Sequence, residues 1–235
     1  MQSMFLGSRS RQAEYFDDLR TPGEVAESFR DLGRINRFFR FSQPFEIGIP
    51  SLLGSERCAR LTLLDLGAGD GSLGKELMKW AAAQGWQWKV TNLDSNAQAL
   101  ALNPEGENVV GSVLELPFAD NAFDVVIASQ MTHHLVNDEH VIQHFREAWR
   151  VAREGVVLSD LHRNLMLYGM VWISTLVMGL SREIRQDGLL SVKRGFRVGE
   201  WRRFARDAGI VEPKVWVYGG SRIMLQGRKR ATPHV

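Results

Sequence analysis

Apolar and polar positions follow two different periods along this chain. Over Glu24–Phe41 the apolar residues Val25, Phe29, Leu32, Ile35 and Phe39 recur at intervals of 4, 3, 3 and 4, one face of an α-helix, with Arg30, Arg34, Arg37 and Arg40 between them. Thr21-Pro22 supplies a start signal, because proline is tolerated in the first helical turn. From Leu61 the pattern changes. Leu61–Leu66, Trp88–Leu93, Asn108–Val110, Phe123–Ala128 and Gly155–Ser159 read as strands, and Leu73–Ala83, Asn96–Leu102 and Asp138–Val151 as the helices between them. Such alternation predicts an α/β fold with a parallel sheet covered on both faces. A helix over Val198–Ala208 follows. Lys214–Val217 and Arg222–Gly227, joined through Tyr218-Gly219-Gly220-Ser221, then predict an antiparallel hairpin. Leu165–Leu180 has almost no polar group; at about 1.5 Å per residue it reaches about 24 Å, short of a hydrocarbon core of about 30 Å. A buried helix, a lid over an apolar pocket and an interfacial segment are all open for it.

Composition narrows the picture a little. The 235 residues are 44% hydrophobic and 24% charged, an ordinary globular balance that excludes disordered, collagenous and disulfide-scaffold classes. With 29 basic and 27 acidic side chains the net charge is +2, which gives no reason to expect nucleic acid as a partner. One cysteine, Cys58, cannot form an internal disulfide, and Met1–Gln12 lacks the apolar core of a secretory signal. The expectation is a cytoplasmic protein.

The segment with the most chemistry is Asp65-Leu66-Gly67-Ala68-Gly69-Asp70-Gly71, where a strand runs through a glycine turn into a helix. That geometry places a ligand at the carboxyl end of a parallel sheet. By letter alone, Gly69-x-Gly71-x-x-Gly74 fits a dinucleotide fingerprint and Gly69–Lys75 fits a phosphate loop. Glu76 stands where a phosphate loop needs Ser or Thr for Mg²⁺, and Asp65 and Asp70 put negative charge beside any phosphate. A cationic ligand without phosphate suits these carboxylates better.

These residues resemble the first motif of the class I S-adenosylmethionine-dependent methyltransferases, an acidic residue followed by x-Gly-x-Gly-x-Gly. The resemblance continues at Thr91-Asn92-Leu93-Asp94, where the family places a carboxylate on the ribose hydroxyls. It extends through Val110–Phe118 and Asp120–Val126, similar to the family's adenine loop and fourth strand. One departure is Ser112, where the family usually has Asp. The resemblance implies a Rossmann-like, mostly parallel seven-stranded sheet with a C-terminal antiparallel hairpin. It implies S-adenosylmethionine as cofactor and S-adenosylhomocysteine as product. It implies cofactor contacts from Asp65, Gly67, Ala68, Gly69, Asp94, Ser95, Ser112, Val113 and Ser129. On this reading residues 1–60 are a helical cap and 61–235 the core, with an apolar lid inserted at about 161–195. The alternative for each piece is packing alone, with Asp94 capping the helix near Asn96.

Methyl transfer to a hydroxyl needs a base. Ser129–Leu135 and Ser159–Arg163 follow the fourth and fifth strands, and some family members carry a His pair and an Asp at these places. By that resemblance His134 or His133 is the base and Asp160 its orienter, with His162 as a further candidate. Helix-entry packing is the competing account of the histidine pair. His140 and His144, at i and i+4, lack a third ligand and read as a solvated face rather than a metal site. Seven of twelve phenylalanines (Phe5, Phe16, Phe29, Phe38, Phe39, Phe41, Phe45) lie in the first 60 residues, and together with the apolar segment they predict a hydrophobic small-molecule acceptor. O-methylation is the leading expectation. N- or C-methylation of a lipid-like or quinone-like acceptor, a non-catalytic cofactor-binding role and peripheral membrane contact stay open.

Overall fold

The computed structural model describes residues 6–12, 21, 23, 24, 26, 27, 29, 30, 40–179 and 182–229. Its centre is a seven-stranded sheet in the order β3-β2-β1-β4-β5-β7-β6. The strands are β1 (Arg60–Leu66), β2 (Gln87–Asp94), β3 (Glu107–Val110), β4 (Phe123–Ser129), β5 (Ala152–Leu161), β6 (Lys214–Tyr218) and β7 (Arg222–Arg228). Strands β1 to β5 are parallel, and β7 lies antiparallel between β5 and β6. The sheet and its closing hairpin are those implied by the sequence.

Alternation along the central strands explains why both faces are covered. Leu64, Leu66, Val126, Ala128, Val156 and Leu158 enter one core with Phe145, Trp201 and Phe204. Leu63, Val125, Ile127 and Val157 enter the other with Phe45, Ile49 and Leu77. Near-continuous apolar strands are what a parallel sheet buried on both faces requires.

The helices are α1 (Gln43–Leu53), α2 (Ser72–Ala83), α3 (Ala97–Leu100), α4 (Asp138–Val151), α5 (Leu165–Val177), α6 (Arg182–Arg194) and α7 (Val198–Asp207). Helix α1 falls within residues 1–60 yet packs on the sheet itself: Phe45, Ile49, Leu52 and Leu53 are buried, and Gln226 Nε2 donates to Gly48 O at 2.9 Å. Phe45 therefore belongs to the sheet core and not to a pocket wall. Phe5, Phe16, Phe38 and Phe39, and most of the helix face expected over Glu24–Phe41, lie outside the described residues. Helix α3 is shorter than expected and is capped by Asn96, whose side chain accepts from Gln98 N and Ala99 N. Strand β5 is longer than expected, because β7 pairs with it along Gly155–Leu161. The apolar segment becomes α5, packed against α6 as a helical hairpin between β5 and α7.

Candidate active site

The carboxyl ends of the parallel strands open into a cavity of about 840 Å³. Its order follows the sheet. The loops after β1, β2 and β3 build one end, the hairpin α5–α6 and the β6–β7 turn build the other, and the loop after β4 stands between them.

At the first end, the turn after β1 is left-handed at Gly67 (φ 66°) and Gly69 (φ 56°), a conformation that costs any residue with a Cβ. Gly67 N and Ala68 N donate to Leu93 O at 2.8 and 3.1 Å. Asp94 completes the tie: one carboxylate oxygen accepts from Gly69 N at 2.8 Å and the other from Asn96 N at 2.8 Å. Asp94 thus braces the glycine turn, and the cap of α3 is Asn96. Ser112 accepts from Leu114 N at 3.1 Å, and its hydroxyl hydrogen stays available to donate. Asp65, Gly67, Ala68, Gly69, Asp94, Ser95, Ser112, Val113 and Ser129 all line the cavity.

Asp65 has an unusual electrostatic position. It is buried at the end of β1, and its Oδ2 has no hydrogen-bond partner among the described residues. Burial, reinforced by the charges of Asp94 and Asp70, pushes its carboxyl up to about 8. An orphaned, acid-lined cavity wall fits a ligand that carries positive charge and donates hydrogen bonds there, as the ammonium of S-adenosylmethionine does. A carboxyl raised on folding contributes stability that is complete below its ordinary range and is lost as pH climbs towards about 8. The thermal midpoint of the ligand-free protein should therefore fall between about pH 5 and 8 at constant ionic strength. Asp65→Asn should flatten that slope, and an unaltered slope would remove Asp65 as its cause.

A second buried carboxylate lies behind the middle of the cavity. β4 and β5 are paired so that Ser129 lies beside Ser159, which brings their following loops together. Gln130, with φ 53°, donates its N–H to Ser159 O at 2.9 Å and reverses the chain. A short 3-10 turn at Thr132–His134 then returns His133 over β5. His133 Nδ1 lies 2.7 Å from Asp160 Oδ1, and His133 N donates to Asp160 Oδ2 at 2.9 Å. Leu161 N adds a bond to Oδ1 at 2.6 Å. Burial alone would raise Asp160, but the charge and hydrogen bonds of His133, with the two backbone N–H groups, hold it below its ordinary value. An ionised carboxylate only accepts, so Nδ1 carries a hydrogen, and the basic lone pair of the uncharged ring form is at Nε2.

The remaining candidates separate. His133 and His134 line the cavity, with ring centroids 4.3 Å apart, but His134 is exposed. Asp160 lies behind His133, outside the cavity wall. His162 is not brought to the site: its Nδ1 accepts from Asn164 Nδ2 at 2.7 Å, against the β6–β7 turn. The solvated face expected for His140 and His144 is half right, since His140 is exposed while His144 is fully buried 3.5 Å from Thr132 Oγ1. Burial lowers His144 to about 4, so it stays neutral.

Three arginines hold this region together without lining the cavity. Arg194, at the end of α6, donates to His133 O at 3.0 Å and His134 O at 2.8 Å. Arg9 donates to Leu135 O at 2.8 Å and Arg194 O at 3.0 Å. Buried Arg163 donates to Leu6 O at 3.1 Å and to Glu200 at 2.7 Å. Nothing in sequence marks them, because their partners are up to 185 residues away. At the far end of the cavity, Arg222 and Tyr218 were also missed. Arg222 is buried against the Phe41 ring at 4.1 Å, and burial lowers its guanidinium to about 10. Their place on either side of Gly219-Gly220-Ser221, a hairpin turn, is the sequence signal that could have pointed to them.

The fold has counterparts among known proteins. Residues 64–159 match the family model described as a methyltransferase domain. The chain is 33% identical over 114 residues to a demethylmenaquinone methyltransferase from Roseiflexus sp., a stretch covering 47% of this chain and 45% of that protein. It is 41% identical over 59 residues to ajmaline N-methyltransferase from Rauvolfia serpentina, covering 24% and 19%. The matches thus span less than half the length of these curated relatives. Among solved structures, the plantazolicin methyltransferase BpumL, in complex with a desmethyl analogue and S-adenosylhomocysteine, superposes with TM-score 0.66 at 13% identity over 88% of this chain and 90% of that one. Human N-acetylserotonin methyltransferase with S-adenosylmethionine gives 0.62 at 15% identity, over 89% and 57%. An Aquifex aeolicus S-adenosylmethionine-dependent methyltransferase gives 0.61 at 17%, over 89% and 99%. At these identities the structural likeness is one of fold.

Proposed function

We propose that the protein, whose residues 64–159 match a methyltransferase domain, is a class I S-adenosylmethionine-dependent methyltransferase that methylates a hydroxyl of a hydrophobic or aromatic small molecule. The observation that carries this reading is His133 on the cavity wall, backed from outside the cavity by Asp160. When bound, S-adenosylmethionine supplies an electrophilic methyl group. Asp94 and the glycine turn are the residues to hold its ribose end, Ser112 and Val113 its adenine, and Asp65 its ammonium. His133 Nε2 takes the proton of the acceptor hydroxyl as the oxygen becomes the nucleophile. Asp160 stabilises the imidazolium so formed and keeps the ring turned. Leu167, Met170 and Val171 from α5 and Phe41 from the N-terminal segment give the acceptor end an apolar wall, and Arg222 and Tyr218 give it polar anchors.

A nucleophilic amine needs no base before attack, whereas a phenol at neutral pH gains most from one. Alkyl-substituted phenols should therefore be methylated at least about tenfold faster than matched anilines, with His133→Ala erasing that preference. Faster turnover of the anilines, with His133→Ala harmless, would move the reading to N-methylation.

A further inference from the structure

The lid helix α5 has its polarity reversed. Its two aliphatic hydroxyl residues, Ser174 and Thr175, line the cavity, and both hydroxyls are returned to the helix backbone at Val171 O. The opposite face is apolar and open to solvent: Trp172 is 50% exposed, Ile173 56%, Leu176 46% and Val177 80%. With Leu165 and Met166, also half exposed, these positions recur at helical spacing along the whole element. A surface helix of a water-facing domain places its polar side outward. Here the outward side carries no polar residue to do so.

We propose that this face of α5 docks on an anionic phospholipid bilayer. The charge around it agrees. No carboxylate occurs in the sequence between Asp160 and Glu183, while Arg182 and Arg185 open α6 directly after the exposed apolar end of α5. Lys193 lies over the Tyr168 ring at 5.7 Å, near the other end of α5. Cations therefore stand at both ends of an apolar stripe, the arrangement that attracts anionic headgroups while side chains such as Trp172 enter the interface. The 13 residues of α5 reach about 20 Å, too short to cross a bilayer, and no helix among the described residues is long and apolar enough to do so. The helix lies in the plane of the surface. Its inner face is a wall of the cavity, so an apolar acceptor dissolved in the bilayer lies one helix thickness from the site.

Flotation of the full chain through a density gradient tests this. Wild type should rise with phosphatidylcholine vesicles containing about a third phosphatidylglycerol and stay behind with phosphatidylcholine alone. Trp172→Asp with Val177→Asp, both outside the cavity, should cut the floated fraction about tenfold. Arg182→Glu with Arg185→Glu should cut binding to the anionic vesicles at least about fivefold and lose its salt dependence. Calorimetric affinity for S-adenosylmethionine, unaltered in both variants, shows that they fold, and keeps this question apart from the methyl-transfer reading. A wild type that stays behind with both vesicles, or an aspartate variant that floats as well as wild type, overturns the proposal. So does a wild-type dimer by light scattering, lost in the aspartate variant and never seen on vesicles, which would assign the face to a second copy of the chain.

Discussion

Asp160→Asn should lower turnover on a hydroxyl acceptor by about 10²–10⁴-fold while leaving the affinity for S-adenosylmethionine within about threefold. The asymmetry follows from where the carboxylate sits. Asp160 lies outside the cavity, and among the described residues its carboxylate is hydrogen-bonded to His133 and Leu161 N, so its loss leaves the cavity lining unchanged. An amide at this place offers an NH₂ to whichever atom faces its nitrogen. If the nitrogen faces Nδ1, His133 must accept there, and Nε2 then carries the hydrogen and cannot act as a base. If it takes the place of Oδ2, it meets the N–H of His133, two donors face each other and the turn at Thr132–His134 shifts. Both outcomes disable the same atom. The pH profile separates this from simple loosening of the fold. A positioning role predicts that activity on a pre-ionised acceptor, a phenol bearing electron-withdrawing groups, is largely kept. Equal loss on all acceptors would show that Asp160 serves packing and not proton transfer.

The second large effect is expected at Gly67. Gly67→Val should reduce kcat/KM by at least about 10²-fold and weaken cofactor binding by about tenfold or more. A branched residue at φ 66° costs about 1–2 kcal/mol in backbone strain alone. A Cβ there would also stand 2.6 Å from Cβ and Cγ of Met131, atoms too close to the backbone to swing aside. Met131 belongs to the loop that carries His133, so a side chain at Gly67 displaces both the glycine turn and the loop of the proposed base. Gly67→Ala should lie between wild type and Gly67→Val. Single-turnover measurements at saturating cofactor check the coupling: loss confined to cofactor affinity, with chemistry intact, would show that the two loops move independently.

Both predictions begin from residues visible in the linear sequence, but their roles were legible to different depths. The carboxylate-glycine segment announces itself because a strand, a left-handed turn and a helix start must occur in immediate succession, and few residue types allow that. Asp94 was legible for its place at the end of β2, although its bond to Gly69 N depends on β1 and β2 lying side by side. The histidine pair was legible as a pair and no further. Which ring meets Asp160 depends on how sharply Gln130 turns the chain, and periodicity does not report a single positive φ at a glutamine. His162 stands two residues on from Asp160, just past the end of β5, and the β6–β7 turn and Asn164 claim it.

The arginines illustrate the other limit. Arg9, Arg163 and Arg194 are three unremarkable letters among the 29 basic residues. Each gains its role from carbonyls supplied by distant segments. The apolar segment in the lid was readable as apolar and as too short to span a bilayer, but its orientation was not. Only packing against α6 and over the cavity turned Ser174 and Thr175 inward and left Trp172 and Val177 outside.

By itself, then, the sequence determined the period of each element, the doubly covered parallel sheet and the acid-flanked glycine turn, because these rest on local dihedral preference and on alternation within a few residues. The tertiary structure alone decided which histidine is backed by a carboxylate, which arginines brace it, that α1 is a layer of the sheet, and that the lid shows its apolar side to the outside. Each of those depends on the direction of a side chain relative to an element far away in sequence, and that direction is set only once strands have paired and helices have packed.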